Sequence, residues 1–269
     1  MYPYPILFGM NLYDILLTVG VMAAFFCCDA MTQKRGFSIA LQKLVIVGIL
    51  ICVVCGYGFA VLFQAVYNFI DIGVFELASN TGATFYGGLI GGAGAYLLVW
   101  FVGGRLFLKG ENVGEQKHRF KDMLDIAACC VPLAHGIGRL GCFFAGCCHG
   151  GETDAWYGVQ MLTETGWKRV VPVQLFEAFF LISLAIVLFA LFFTKPNKLP
   201  LMPIYCVVYG VWRFFIEYAR ADDRGATVIA SVTPSQLIAI LMILFGICYL
   251  AIFFINKKQK QTEISSVKK

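Results

Sequence analysis

Long apolar runs separated by short polar gaps organise this chain from end to end. Seven such runs stand at positions 11–28, 44–70, 84–103, 123–147, 173–194, 200–219 and 234–255. A helix of about 18–25 apolar residues is what crosses roughly 30 Å of hydrocarbon. The pattern therefore predicts an all-α integral membrane domain of seven transmembrane helices over residues 1–255. Two gaps are longer than the rest. The segment 149–171 carries Glu152, Asp154, Glu164, Lys168 and Arg169 together with Trp156, Tyr157 and Trp167. Amphipathic rings settle at the membrane interface, so this segment predicts a small cap or a hairpin on the outer face. The segment 104–122 is basic and reads as a solvated connection. Residues 256–269 show no apolar period and read as a disordered basic tail. No internal repeat is visible.

Composition removes the soluble alternatives. The chain of 269 residues is 59% hydrophobic and only 14% charged, where a soluble domain carries about 25% charged residues. The charges are also sorted. Lys34, Arg35 and Lys43 follow the first run, and Arg105, Lys109, Lys117, Arg119 and Lys121 follow the third. Lys195 and Lys198 follow the fifth, while Lys257, Lys258, Lys260, Lys268 and Lys269 close the chain. The opposite gaps hold only Lys168, Arg169 and Arg224. The positive-inside rule then places the N-terminus outside and the C-terminus in the cytoplasm, as seven spans require. A net charge of +5 arranged this way fits an anionic cytoplasmic leaflet and not nucleic acid. The first Lys lies beyond the first run, which therefore reads as a retained helix and not a cleaved signal.

Against this background the arginines inside the runs are the informative residues. An arginine at the bilayer centre costs roughly 2.5–3.5 kcal/mol on insertion scales. Arg139 stands in such a run, with His135 one turn before it and Cys142 one turn after, on one helical face. Gly138 and Gly141 beside it leave room for a bulky anion. The guanidinium fork suits a phosphate, so a lipid headgroup is the candidate ligand; pairing with a carboxylate to fix helix packing is the alternative. In the sixth run Tyr209, Arg213 and Glu217 follow at i+4 intervals, and Arg220 comes three later. Arg213 and Glu217 could neutralise each other, but two arginines to one glutamate leave surplus positive charge. Asp14, Gln174 and Glu177 are polar residues that could serve the site, cap or pair; Pro172 marks the helix start just before the last two. Tyr86, Gly87 and Gly88 open the third run among further glycines, where close helix packing and close approach of a headgroup weigh equally.

Most of the eleven cysteines lie within the runs as small packing residues, the pair Cys52 and Cys55 included. Cys142, Cys147 and Cys148 cluster with His149 and could hold a soft metal or form a disulfide. Their spacing is not that of a standard zinc site, so neither a metal nor a cofactor is expected.

Five segments in order carry a family resemblance: Phe85-Tyr86-Gly87-Gly88-Leu89-Ile90-Gly91, Gly138-Arg139-Leu140-Gly141, Pro172-x-Gln174-Leu175-x-Glu177, Tyr209-Gly210-x-x-Arg213-Phe214-x-x-Glu217-x-x-Arg220, and Ser235-Gln236. Together they resemble the prolipoprotein diacylglyceryl transferases of the bacterial inner membrane. The resemblance implies transfer of the diacylglyceryl group of phosphatidylglycerol, at the outer leaflet, to the lipobox cysteine beside a prolipoprotein signal peptide. A thioether forms and glycerol 1-phosphate leaves. It implies that Arg139, Arg213 and Glu217 are essential, with Tyr86 or His135 assisting proton transfer. Tyr13, Gly87, Gly88, Gly138, Cys142, Gln174, Glu177, Tyr209 and Arg220 would line the substrate. The family signature Gly-Arg-x-Gly-Asn-Phe-x-Asn-x-Glu has Cys142, Ala145 and Cys147 in place of its two asparagines and its glutamate. That change keeps three alternatives in view: a related headgroup transferase with another acceptor, a carrier of an anionic lipid, and a thiol-redox protein.

Overall fold

The computed structural model describes residues 6, 9–77, 84–163, 166–194, 198–221 and 232–267. Glu164, Lys195, Arg224, Lys268 and Lys269, which entered the reading of cap and charge above, lie outside them. The elements in order are α1 (Leu12–Lys34), α2 (Ile39–Ile72), α3 (Phe85–Leu98), α4 (Gly104–Phe107), α5 (Glu111–Ala145), β1 (Val159–Thr163), β2 (Gly166–Val170), α6 (Val173–Thr194), α7 (Leu201–Ile216) and α8 (Pro234–Val267). A π-helical turn, Val99–Gly103, links α3 to α4. Among the described residues six helices are long and apolar enough to cross a membrane: α1, α2, the α3–α4 stretch, α5, α6 and α8. The sixth run is the exception. It forms a helix of 16 residues, about 24 Å at 1.5 Å per residue, and breaks into a 3-10 turn at Glu217–Ala219. At the other end of the chain, α8 stays helical to Val267, through the stretch that its composition reads as an unstructured tail.

The chain divides into two compact units, residues 28–123 and residues 1–27 with 124–269, and each is described by itself. In the first, α2 and α3 meet through glycines. A Cβ on Gly87 would lie 2.5 Å from the Phe59 carbonyl oxygen, and one on Gly92 3.2 Å from both the carbonyl and the Sγ of Cys52. Gly88 sits 3.5 Å from Ala60 and from the Gly56 carbonyl on the same measure. Close helix approach therefore accounts for the glycine-rich opening of α3, and for Cys52 as a packing residue. Around Phe37, Arg119 pairs with Asp122 at 3.0 Å and donates to the Gly36 carbonyl at 3.2 Å.

In the second unit the glycines again decide which helices touch. Gly20 of α1 faces the Ala134 carbonyl of α5, and Gly136 of α5 faces Ala178, Leu181 and Ile182 of α6. Gly210 of α7 and Gly246 of α8 each lie against a carbonyl of the other helix, Ala239 and Pro203 respectively. Asp125 of α5 accepts from the Leu201 N–H at 2.7 Å, placing a carboxylate at the positive end of α7. Phe180 and Trp212 stack at 4.2 Å between α6 and α7. On α6, Glu177, Ala178, Leu181 and Leu188 are fully buried while Phe179 is 77% exposed. An apolar outer face of this kind suits lipid.

The segment between α5 and α6 forms the hairpin that its polarity suggested. β1 and β2 pair antiparallel, with Val159 opposite Val170 and Thr163 opposite Gly166. The fold is thus mostly helical with one small β element, a minor departure from an all-α chain.

Candidate functional site

Glu177 is the centre. It sits on the second turn of α6 with none of its side chain exposed. Two helices and the turn after α7 bring partners to it. From α5, Arg139 Nε lies 2.8 Å from Oε2 and His135 Nε2 lies 4.0 Å from Oε1. From α7, the Tyr209 hydroxyl donates to Oε1 at 3.2 Å. Beyond the break of α7, Arg220 Nη1 lies 3.7 Å from Oε2. The His135 and Tyr209 rings meet edge to face at 5.7 Å, and Tyr205 stacks behind Tyr209. Pairing Arg139 with a carboxylate, the alternative weighed above, is thus what the structure shows, although the carboxylate comes from another helix. Arg139 is therefore a paired charge. Two guanidiniums thus converge on one carboxylate.

A second ion pair lies one turn along α7. Arg213 Nη2 is 2.7 Å from Glu217 Oε2 and donates to Ser235 Oγ at 2.9 Å. Its other nitrogen, Nη1, is buried without a hydrogen-bond partner among the described residues. An unused guanidinium edge in a buried setting is a costly feature unless an anion meets it. Glu217 is held in turn by Thr233, whose hydroxyl donates to Oε1 at 2.9 Å.

Thr233 was not among the candidates above and Ser235 entered only through the family resemblance, yet the sequence carried the signal. Thr233-Pro234-Ser235-Gln236 is a capping box with proline at the first helical position. The Gln236 N–H donates to Thr233 Oγ1 at 3.2 Å, and the Thr233 N–H donates to Gln236 Oε1 at 3.1 Å. The start of α8 therefore fixes two hydroxyls against the Arg213–Glu217 pair. Thr233→Val should remove both the cap and the bond to Glu217, costing about 0.5–2 kcal/mol. A lower melting temperature and a several-fold slower turnover are expected, with Thr233→Ser restoring both. A valine variant indistinguishable from the parent would refute the coupling of cap and site.

The break in α7 is itself held. Gly150 and Arg220 form an antiparallel bridge, the Gly151 N–H donates to the Ala219 carbonyl, and the Ala221 N–H to the His149 carbonyl. Irregular backbone in an apolar setting needs such internal partners. The loop that supplies them begins with the cysteines. Cys142, Cys147 and Cys148 bring their sulfurs within 4.8 Å of one another. Hydrogen bonds from Cys142 and Cys147, helped by the Arg220 and Arg139 charges, hold the Cys148 thiol below its ordinary pKa. Hydrogen bonds with the Cys142 and Cys148 sulfurs push the Cys147 thiol above it. Gln174 is buried and donates to the Cys147 carbonyl at 2.6 Å, so it fixes the loop.

Other predicted residues fall differently. Tyr13 of α1 lies against Gly141, where a Cβ would meet its ring at 3.2 Å. Helix packing thus fills the space beside Gly141 that was expected to admit an anion, while Gly138 has only Leu17 near, at 3.9 Å. Asp14 and Asn11 cap the start of α1 reciprocally. Tyr86, Gly87 and Gly88 belong to the other compact unit, where Gly87 and Gly88 pack on α2.

A multi-pass helical membrane protein with a buried, arginine-rich ionic centre is the class these features define. Comparison with known proteins narrows it. The family model described as prolipoprotein diacylglyceryl transferase matches residues 5–252. A phosphatidylglycerol–prolipoprotein diacylglyceryl transferase of Clostridium tetani is 30% identical over 264 residues, covering 95% of this chain and 97% of that one. One from Clostridioides difficile is 26% identical over 257 residues, covering 94% and 95%. A second such transferase of Clostridium perfringens is 32% identical over 193 residues, 68% of this chain and 66% of its own. The chain belongs to the prolipoprotein diacylglyceryl transferase family.

Proposed function

We propose that this chain transfers the diacylglyceryl group of phosphatidylglycerol to the lipobox cysteine of a prolipoprotein, whose signal peptide it engages. The observation that carries the reading is the buried cluster of arginines: Arg139 and Arg220 both approach Glu177, and Arg213 keeps one guanidinium edge unused among the described residues. Family membership and the printed activity of relatives matched nearly end to end support it.

In this reaction the acceptor sulfur attacks a glycerol carbon, the carbon–oxygen bond to phosphate breaks, and glycerol 1-phosphate leaves with the electron pair. Positive charge preset where that oxygen becomes negative lowers the barrier. Arg139 and Arg213 hold the phosphate. Glu217 and Ser235 keep the Arg213 fork in one plane, and Glu177 keeps Arg139 and Arg220 apart from each other and facing the anion. His135, next to Glu177, receives the thiol proton. Gln174 and Tyr209 maintain the walls, and Tyr13 lines the α1 side.

The membrane arrangement follows from the same reading. α7 counts as the sixth span of seven, short because it ends where its arginines serve the site. The distribution of basic residues puts the N-terminus outside, the C-terminus in the cytoplasm and the ionic centre toward the outer leaflet of the bacterial inner membrane. The test is an assay of purified protein with phosphatidylglycerol and a lipobox peptide beside Arg139→Ala. Thioether product should form with the parent and fall about 10²–10³-fold in the variant. A parent that makes no product, or a variant as active as the parent, would overturn the reading.

A further inference from the structure

The three sulfurs beside the site are assembled by the backbone, and the assembly has a purpose of its own. α5 ends in a Schellman turn. The Gly146 N–H donates to the Phe143 carbonyl and the Cys147 N–H to the Cys142 carbonyl, with Gly146 at φ +76°. This motif characteristically brings the side chains of its outer residue and of the residue five earlier into contact. Here both are cysteines, Cys147 and Cys142. The next residue, Cys148, has φ +61° and is the only non-glycine described with positive φ. That conformation is uncommon outside Gly, Asn and Asp. It returns the third sulfur to the other two, so that all lie within 4.8 Å. Strain of this kind persists only where surroundings impose it. The Gln174 bond to the Cys147 carbonyl and the backbone bonds of His149, Gly150 and Gly151 to Ala219, Ala221 and Val171 do so.

We propose that Cys142, Cys147 and Cys148 form a three-thiolate site for one soft divalent cation of the zinc and cadmium kind. Metal–sulfur bonds of about 2.3 Å place the sulfurs of a tetrahedral site about 3.8 Å apart, so the cluster needs only a small contraction. Three protein ligands leave the fourth position open to water or an incoming group. Binding releases the protons the thiols still carry. Three thiolates around a divalent ion carry one negative charge. Cys147 is exposed and the other two are partly so, which gives the ion a way in.

The test is titration of the purified, reduced full-length protein with cadmium, followed by thiolate-to-metal charge-transfer absorbance. One saturable equivalent of three-thiolate intensity is expected. It should vanish in the combined Cys142→Ser, Cys147→Ser, Cys148→Ser variant and persist in Cys248→Ser, whose thiol is exposed on α8. A thermal melt verifies that the triple variant is folded. If it is not, Cys147→Ser alone serves, because its side chain is exposed. That substitution should weaken binding by more than the 10–100-fold that follows loss of an outer-shell partner. Parent protein without a saturable equivalent, or cysteine variants that bind like the parent, would refute the site.

Discussion

Glu177→Gln should leave a protein that is less stable and almost inactive. The substitution keeps the volume and removes the charge. Arg139 and Arg220 would then face each other in a fully buried position with only an amide between them. Removing one partner of a buried ion pair costs about 3–5 kcal/mol, since the remaining charge is neither solvated nor paired. The arginines relieve this by turning away from their positions. Displacement of about 1 Å at a reacting centre can cost 10²-fold in rate, so turnover should fall by at least that much. Thermal melting in detergent and the thioether assay measure the two effects separately. Glu177→Asp keeps the charge on a shorter stem, so it should recover most of the stability and little of the activity. A glutamine variant with parental melting and parental turnover would remove Glu177 from the centre of the site.

Arg213→Lys should separate binding chemistry from stability in the other direction. One guanidinium nitrogen, Nη2, already serves Glu217 and Ser235, and the second, Nη1, is unused among the described residues. A lysine has one nitrogen in place of this fork. It can remain with Glu217 or move to a phosphate, not both. The ion pair survives, so the melting temperature should change little. Turnover should drop about 10²–10³-fold, the usual consequence of losing one preset donor to a developing anion. Equal losses of stability and rate would mean that Arg213 only braces α7 against α8.

These expectations rest on contacts that were unevenly legible in the sequence. Hydropathy alone places α1, α2, α5, α6 and α8 because a membrane helix must be apolar along its length. The length of α7 was not legible. Its apolar run continues past Ile216, and the break is set by the bridge from Arg220 to Gly150, a partner far away in sequence. The Arg213–Glu217 pair was visible because i and i+4 share a face. Glu177 was underweighted for the opposite reason: its partners come from α5, α7 and the turn after α7, and no spacing rule reaches across helices. Gly141 was read as space, whereas α1 brings Tyr13 into it. The cysteines were visible as a group, but only the turn after α5 shows that their sulfurs converge.

The bridge between Gly150 and Arg220 also makes two motions into one. A loop tied by main-chain bonds to the residue that carries a guanidinium cannot swing aside without shifting that charge. On the proposed reading, whatever lifts the segment after α5, an arriving peptide or a bound ion, would also shift the Arg220 charge beside the headgroup, so that the loop would work as a latch on the lipid.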